Sequence, residues 1–470
     1  MADLLSILSG SAAALNAQQS VAAVASNNLD NVDTPGYSVQ TANLSSSPLD
    51  VLGGSVLGGG VTVGSVTQTR DRFIEAQLPG AQGAAAYSQA QSDSLTAVDA
   101  LNASTSGGLS QSLSAFWAAM QSLSQDAGNS SLRTAAIASA QQVATAFNST
   151  ASSLTQAQDG LDSEISASVS QVNTLASQMA SLNQQIRVAS SSGQAPNSLL
   201  DQRQSVQDQL VALTGAQPVT DAQGDVSLAL PGGDALVAGY AAATLTAAPD
   251  PTNSGHIALS LTSADGSSAK SIPDASMGGQ IGGWLSARDG ALATAASSID
   301  SLASDFANAV NTAHAASYGT DGSTGNNLFN VSATVPGAAA SLTVNSAIVN
   351  DPSMLATAGS ATAGPGDASG LATLLAVQDQ SLPSSGQTPS DDLATITAQF
   401  GASTQAATSN AAQDQASLSN LNTLRASASG VSSDQELVNM QKAQSAYEAI
   451  SKVITTAQTM LDALMAIQAT

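Results

Sequence analysis

A long helical pattern ends abruptly over residues 27–37, which read N-N-L-D-N-V-D-T-P-G-Y. Upstream, residues 3–30 carry a seven-residue repeat. Leu8, Leu15, Ala22 and Leu29 hold one seam position, and Leu4, Ser11, Gln18 and Ala25 hold the other. Asn27, Asn28 and Asn31 weaken the helix end, because their amides compete for nearby backbone groups. Thr34-Pro35-Gly36 then stops it. Pro35 has no N–H and drives Thr34 out of the helical region, and Gly36 suits the positive φ of a type II turn. Tyr37 follows as a ring with a polar tip, able to anchor the turn against a neighbour. At about 1.5 Å per residue the helix spans roughly 42 Å. Its apolar seam is too thin to hold it alone, so it needs a partner.

A second such helix stands near the other end of the chain. From about Ser433 to Ile467 there is no Pro or Gly, and Leu437, Met440, Tyr447, Ile450, Ile454, Leu461 and Leu464 form a stripe. Ser433 with Glu436 three residues on is a capping-box pattern. Each of the two helices lacks a partner nearby in sequence.

The segments between them change grammar several times. Val61-Thr62-Val63 and Val66-Thr67 read as a hairpin. Residues 84–214 are mainly helix, and one helix from Leu132 runs to about Val188. Its cleanest stripe is Ile165, Val169, Val172, Leu175, Met179, Leu182 and Ile186. Residues 215–276 alternate as short strands around Pro231-Gly232-Gly233-Asp234 and Asp265-Gly266. Helical patterns resume from about Leu285 to Ala316 and over 391–425. The expected division is 1–75 with 426–470 as a helical pair plus hairpin, 76–214 with 277–425 as a helical bundle, and 215–276 as an inserted β-domain. The fold class is mainly α with a small β insertion.

Composition narrows the function. Charged residues make up 9% of the 470, against about 25% in ordinary soluble domains. Aromatics are 3%. Small residues allow close helix packing, and uncharged polar faces can be buried between subunits at modest desolvation cost. The net charge of −24 with ten Lys and Arg leaves no basic stripe for phosphates, which argues against nucleic acid and anionic membranes. There is no cysteine, hence no disulfide or thiolate metal site. Residues 1–10 hold Asp3 and no basic region, unlike a Sec-type signal peptide, and no apolar run is long enough to span a membrane. Taken alone, these features read as cytoplasmic.

Nothing marks a catalytic site. The two histidines, His256 and His314, fall in different segments, and no nucleophile elbow or zinc-protease motif accompanies them. Gly58-Gly59-Gly60 lacks the Lys-Ser/Thr of a phosphate loop. Asp321–Asn327 has the flavour of a calcium loop without its terminal Glu. No cofactor, no metal and no enzymatic activity are expected.

The run from residue 26 to residue 40 resembles the N-terminal signature of bacterial flagellar axial proteins, A-N-N-L-A-N-V-N-T-P-G-Y-S-R-Q. Asn27, Asn28, Leu29, Asn31, Val32, Thr34, Pro35, Gly36, Tyr37, Ser38 and Gln40 match; Ser26, Asp30, Asp33 and Val39 depart. Val39 replaces an Arg. Glu436–Met440, Gln444–Tyr447 and Lys452–Ala457 resemble the C-terminal pattern of the same family. Three middle runs, Pro196–Arg203, Gly278–Leu285 with Arg288-Asp289, and Phe306–His314, resemble its hook-associated protein 1 (FlgK) branch. The resemblance implies that the end helices pair as an antiparallel coiled coil lining a filament channel, with the β insertion facing outward. It implies a structural subunit at the hook–filament junction, self-associating in a layer beside hook protein and hook-associated protein 3 (FlgL). An export chaperone of the FlgN type would hold its C-terminal segment before export through the flagellar type III channel, with no cleaved signal peptide. A rod or hook subunit, or an adhesin on an axial scaffold, are the alternatives.

Overall fold

The computed structural model describes residues 2–34, 36–47, 50–52, 55–57, 60–98, 108–192, 196–266 and 269–468. Helix α1 (Ala2–Asp30) leads into a β-hairpin region. Strand β1 (Gln40–Ser46) pairs antiparallel with β4 (Val61–Gln68), and the short β2 (Asp50–Leu52) pairs with β3 (Ser55–Leu57). The expected hairpin within 61–67 is therefore one strand. Its partner is Gln40–Ser46, and Gly64 is the extra residue at a bulge between the Asn43–Ser65 and Leu44–Val63 pairs. A Cβ on Gly64 would stand 3.0 Å from the Ser45 hydroxyl.

The body follows. Helices α2 (Arg72–Thr96), α3 (Leu109–Gln125), α4 (Ser130–Ser191) and α5 (Asn197–Thr214) precede seven short strands, β5 (Gln217–Thr220) to β11 (Ala269–Ile272). In order these are β5, β6 (Val226–Ala229), β7 (Ala235–Ala238), β8 (Ala241–Ala242), β9 (Thr244–Pro249), β10 (Ile257–Thr262) and β11. They form two antiparallel sheets, β5-β6-β7-β8 and β11-β10-β9. Then come α6 (Gly279–Ser286), a π-helical turn over Ala287–Leu292, and α7 (Ala293–Ala315). The small elements β12 (Phe329–Asn330), α8 (Ala338–Ser341), β13 (Thr343–Val344), α9 (Ser346–Asn350) and α10 (Ser369–Ala376) lead to α11 (Pro389–Ser429) and α12 (Ser433–Gln468).

At 62 residues α4 is about 93 Å long, and it joins two apolar cores. Its first half gives Ala136, Val143, Phe147 and Leu154 to a core with α3, α7 and the loops after it. There Phe116, Phe147, Phe306 and Phe329 meet at ring separations of 5.5–6.1 Å. Its second half gives Ile165, Val172, Ala176 and Met179 to a core shared with α5, α6 and the sheets. The inserted strands thus have no core of their own; they cover the far half of α4. The helix expected from Leu285 starts earlier, at Gly279. Gly282 and Gly283 let α6 lie directly on α2, since a Cβ on Gly283 would stand 2.3 Å from the Tyr87 carbonyl oxygen. These glycines are a packing device.

Candidate functional site: the elbow between the end helices and the body

Helices α1 and α12 pack on each other antiparallel, with the Asp30 end of α1 beside the start of α12. On α1, Leu4, Leu8, Ser11, Leu15, Gln18, Ala22, Ala25 and Leu29 are all buried or half-buried, and Ala17 joins Ala25 among the most buried. On α12 the seam runs Glu436, Met440, Ala443, Tyr447, Ile450, Ile454, Ala457, Leu461 and Leu464, alternating steps of four and three. Glu436, Ala443 and Ala457 are its buried members; Met440, Ile450, Ile454 and Leu461 are half-buried. Tyr447 and Leu464 share the heptad but stay 38% and 43% exposed, and Leu437, 47% exposed, lies one residue off the seam. The sequence stripe passed over Ala443 and Ala457 because alanine carries little apolar signal. The cap of α12 is Ser432, whose hydroxyl accepts from the Gln435 N–H at 3.4 Å, rather than Ser433.

The asparagine-rich stretch forms a polar knot where this pair meets the body. Asn28 is fully buried. Its Nδ2 donates to the Gln40 carbonyl at 2.8 Å, while its Oδ1 accepts from the Gln40 N–H at 3.0 Å. One side-chain amide thus copies the reciprocal bonding of a β-bridge and starts β1. The Tyr37 hydroxyl lies 2.8 Å from Asn28 Oδ1 and 2.9 Å from Asn27 Oδ1. Asn31 Nδ2 donates to the Asn27 carbonyl at 2.8 Å, and Thr34 Oγ1 donates to Asn31 Oδ1 at 3.2 Å. The Tyr37 N–H closes a four-residue turn on the Thr34 carbonyl, with Gly36 at φ +82°. Burial pushes the Tyr37 phenol up to about 12, with Asp201 and Glu436 adding to the shift. Tyr37 therefore anchors the turn within its own chain. Leu29 sits on the α1 seam, Val32 is 38% exposed, and Pro35 lies outside the described residues, as do Gly58 and Gly59.

Other singled-out segments converge on this knot. Asn197, at the start of α5, donates to Gln40 Oε1 and the Val66 carbonyl at 3.2 Å each. Asp201 accepts from Gln68 at 2.9 Å and pairs with Arg70 at 3.1 Å. Burial raises the Asp201 and Asp208 carboxyls above their ordinary range, against the pull of Gln68 and Arg70 on the first and Gln204 on the second. Arg425 of α11 was not foreseen. Its guanidinium donates to the Gly36 carbonyl at 3.2 Å and pairs with Glu75 of α2 at 3.0 Å. The Val39 N–H donates to the Ser429 carbonyl at 2.9 Å. Between these groups lies a cleft of about 690 Å³, reaching from Asn27 and Tyr37 to Asp208 and Arg425.

The histidines hold structural posts. His314 is buried and accepts from the Ala356 N–H at Nε2 (3.0 Å), so its Nδ1–H donates to the Asn326 carbonyl (2.7 Å). His256 pairs with Asp162, and with Asp159 these make a trio of possible metal ligands. Arg288, fully buried, already holds Asp162 at 2.5 Å and brings a cation to that spot. Asp321 uses a carboxylate oxygen to cap the Ser323 N–H and hydroxyl within its own turn.

A helix pair built from the two ends of the chain, set on a helical body through an Asn/Tyr elbow, is the layout of a flagellar axial protein. The model of the flagellar basal body rod FlgEFG protein C-terminal region matches residues 425–467. The model of the flagellar hook-associated protein FlgK helical domain matches residues 95–329, half of the chain, and the chain belongs to the hook-associated protein 1 (FlgK) family. Flagellar hook-associated protein 1 of Salmonella typhimurium is 30% identical over 333 residues, covering 70% of this chain and 60% of the relative. The chain thus spans less than two thirds of that relative's length. The Bacillus subtilis relative is 28% identical, covering 96% of this chain and 95% of its own length. The solved structure of the flagellar hook junction protein FlgK from Burkholderia pseudomallei superposes with a TM-score of 0.51 at 30% identity, over 55% of this chain and 47% of that one.

Proposed function

We propose that the chain is a structural subunit of the bacterial flagellum that forms the hook–filament junction and is required for filament growth on the hook. The observation that carries this is the α1–α12 pair, which is left half-covered. Leu5, Ile7, Val453, Met460, Met465 and Ile467 are between 42% and 71% exposed along it. Two helices with alanine at the centre of their seam bury little between them, and neighbouring copies in a closed layer would cover the rest. Asn27, Asn28, Leu29, Asn31, Val32, Thr34, Gly36 and Tyr37 form the elbow that aims the pair. Leu437, Met440, Tyr447, Ile450, Ile454, Leu461 and Leu464 divide between the internal seam and the face offered to neighbours. In this reading 1–75 with 426–470 is the assembling part, 76–214 with 277–425 the bundle, and 215–276 the outward insertion. The partners are other copies, hook protein and hook-associated protein 3 (FlgL), with an FlgN-type chaperone before type III export. The role is structural rather than enzymatic.

The match of 425–467 to rod proteins favours one other reading, a rod or hook subunit. Deleting the gene separates the two. Bare hooks with flagellin lost to the medium support the junction role; missing hooks would assign the chain to the rod or hook, and normal filaments would refute both.

A further inference from the structure

We propose that the elbow is an adjustable joint and that Arg425 is the latch that sets its angle. Among the described residues, none from 2–71 or 430–468 belongs to either apolar core. The end pair joins the body through two three-residue links, 69–71 and 430–432, and Val39 bonds next to both, accepting from the Thr69 N–H and donating to the Ser429 carbonyl. Among the described residues, a set of polar contacts also bridges the joint. Asn197 and Asp201 hold the β1–β4 ribbon to α5, and Val39 bonds the Ser429 carbonyl. Arg425 touches both sides at once, with Gly36 on the pair's side and Glu75 on the body's.

A second observation separates this joint from an ordinary interface. Among the described residues, five buried side-chain polar atoms have no hydrogen-bond partner, and four of them gather here: Ser38 Oγ, Arg70 Nε, Glu75 Oε1 and Ser429 Oγ. Glu75 Oε1 faces Arg425 Nε at 3.0 Å as an ion pair without hydrogen-bond geometry. Buried polar atoms are paired with protein or water almost everywhere in folded chains, and a set without protein partners marks a contact whose pairing is not fixed by the chain itself. Directional polar contacts have discrete alternatives, and because the end segments share neither apolar core the joint can change angle while both cores stay intact. The 690 Å³ cleft behind Tyr37 gives the movement room.

The chain has no cysteine, so two labels can be placed without background. Gln184→Cys on α4 and Glu448→Cys on α12 are exposed sites on either side of the joint. Spin labels there are expected to report one narrow distance distribution in the parent. Arg425→Gln and Glu75→Gln are each expected to lose that single narrow peak while the thermal melt of the body is unchanged, with Arg425→Lys recovering part of it. An unchanged distribution in both variants would overturn the proposal. So would loss of the body's melt, since the latch would then be part of the fold rather than of the joint. The test needs only the isolated chain, so its failure would leave the junction reading untouched.

Discussion

Replacing Asn28 by Ala removes the bond from Nδ2 to the Gln40 carbonyl, the bond from the Gln40 N–H, and one of two acceptors for the Tyr37 hydroxyl. A hydrogen bond is worth about 1 kcal/mol net, and a buried backbone group left unsatisfied costs about 1–3 kcal/mol. Gln40 is half-buried, so the local cost comes to about 3 kcal/mol, on the order of a 100-fold change in a local opening equilibrium. The cores are not involved, so the effect should stay local. Amide hydrogen exchange resolves this. The Gln40 amide in Asn28→Ala should exchange on the order of 100-fold faster, with the amides of α3 and α4 unchanged. Tyr37→Phe, which leaves both Asn28–Gln40 bonds in place, should speed it by no more than about tenfold. An unchanged Gln40 amide in Asn28→Ala would refute the view that this side chain holds the start of β1. A uniform acceleration across the body would refute the separation of elbow from core.

Three further predictions follow from the same geometry. Ile454→Asp and Tyr447→Asp should abolish assembly on hooks while leaving the body's melting unchanged, because the new carboxylate is fully desolvated only when neighbours cover the pair; a melted body in either variant would contradict this. His314 is held neutral, its pKa lowered by burial against the raising effect of the Asn326 carbonyl. The unfolded chain therefore takes up a proton first, so the stability this group contributes is full above about pH 6.5 and declines as pH falls below it. Thermal melts from pH 7.5 to pH 5 should show that decline, and His314→Gln should flatten it. Brief proteolysis of the purified chain should cut first within 1–75 and 426–470, removing about forty residues from each end; equal protection of ends and body would argue against a weakly held pair.

Much of the fold could be read from residue spacing. The seven-residue repeat of α1 and the stripe of α4 were plain because helices repeat an apolar position on a fixed period. What stayed hidden depended on contacts between distant segments. Nothing local tells Val61–Gln68 that its partner is Gln40–Ser46, and the bulge at Gly64 breaks the alternation that would have helped. The start of α6 at Gly279, ahead of Leu285, is hidden because glycine propensity does not see that α2 lies against Gly282 and Gly283. The elbow was half legible. Its asparagines, Thr34, Gly36 and Tyr37 stood out, and so did Asn197 and Asp201 within a separate run. Arg425 did not, as a single cation in a helix of Ala, Ser and Gln. One signal was available: with only ten Lys and Arg among 470 residues, each one is a candidate for a specific contact. Leu437 was placed on the α12 seam because leucine outweighs glutamate in any apolar count, whereas the heptad itself points to Glu436.

The central claim is that this chain is the subunit that builds on the end of the hook. Purified chain, carrying one small label on an exposed body residue, can be added to isolated hook–basal bodies and viewed by electron microscopy. The account predicts label confined to the distal tip of each hook, saturating at a fixed amount per hook and lost in Ile454→Asp. Label along the hook shaft, label at the rod, or none at the tip would contradict it.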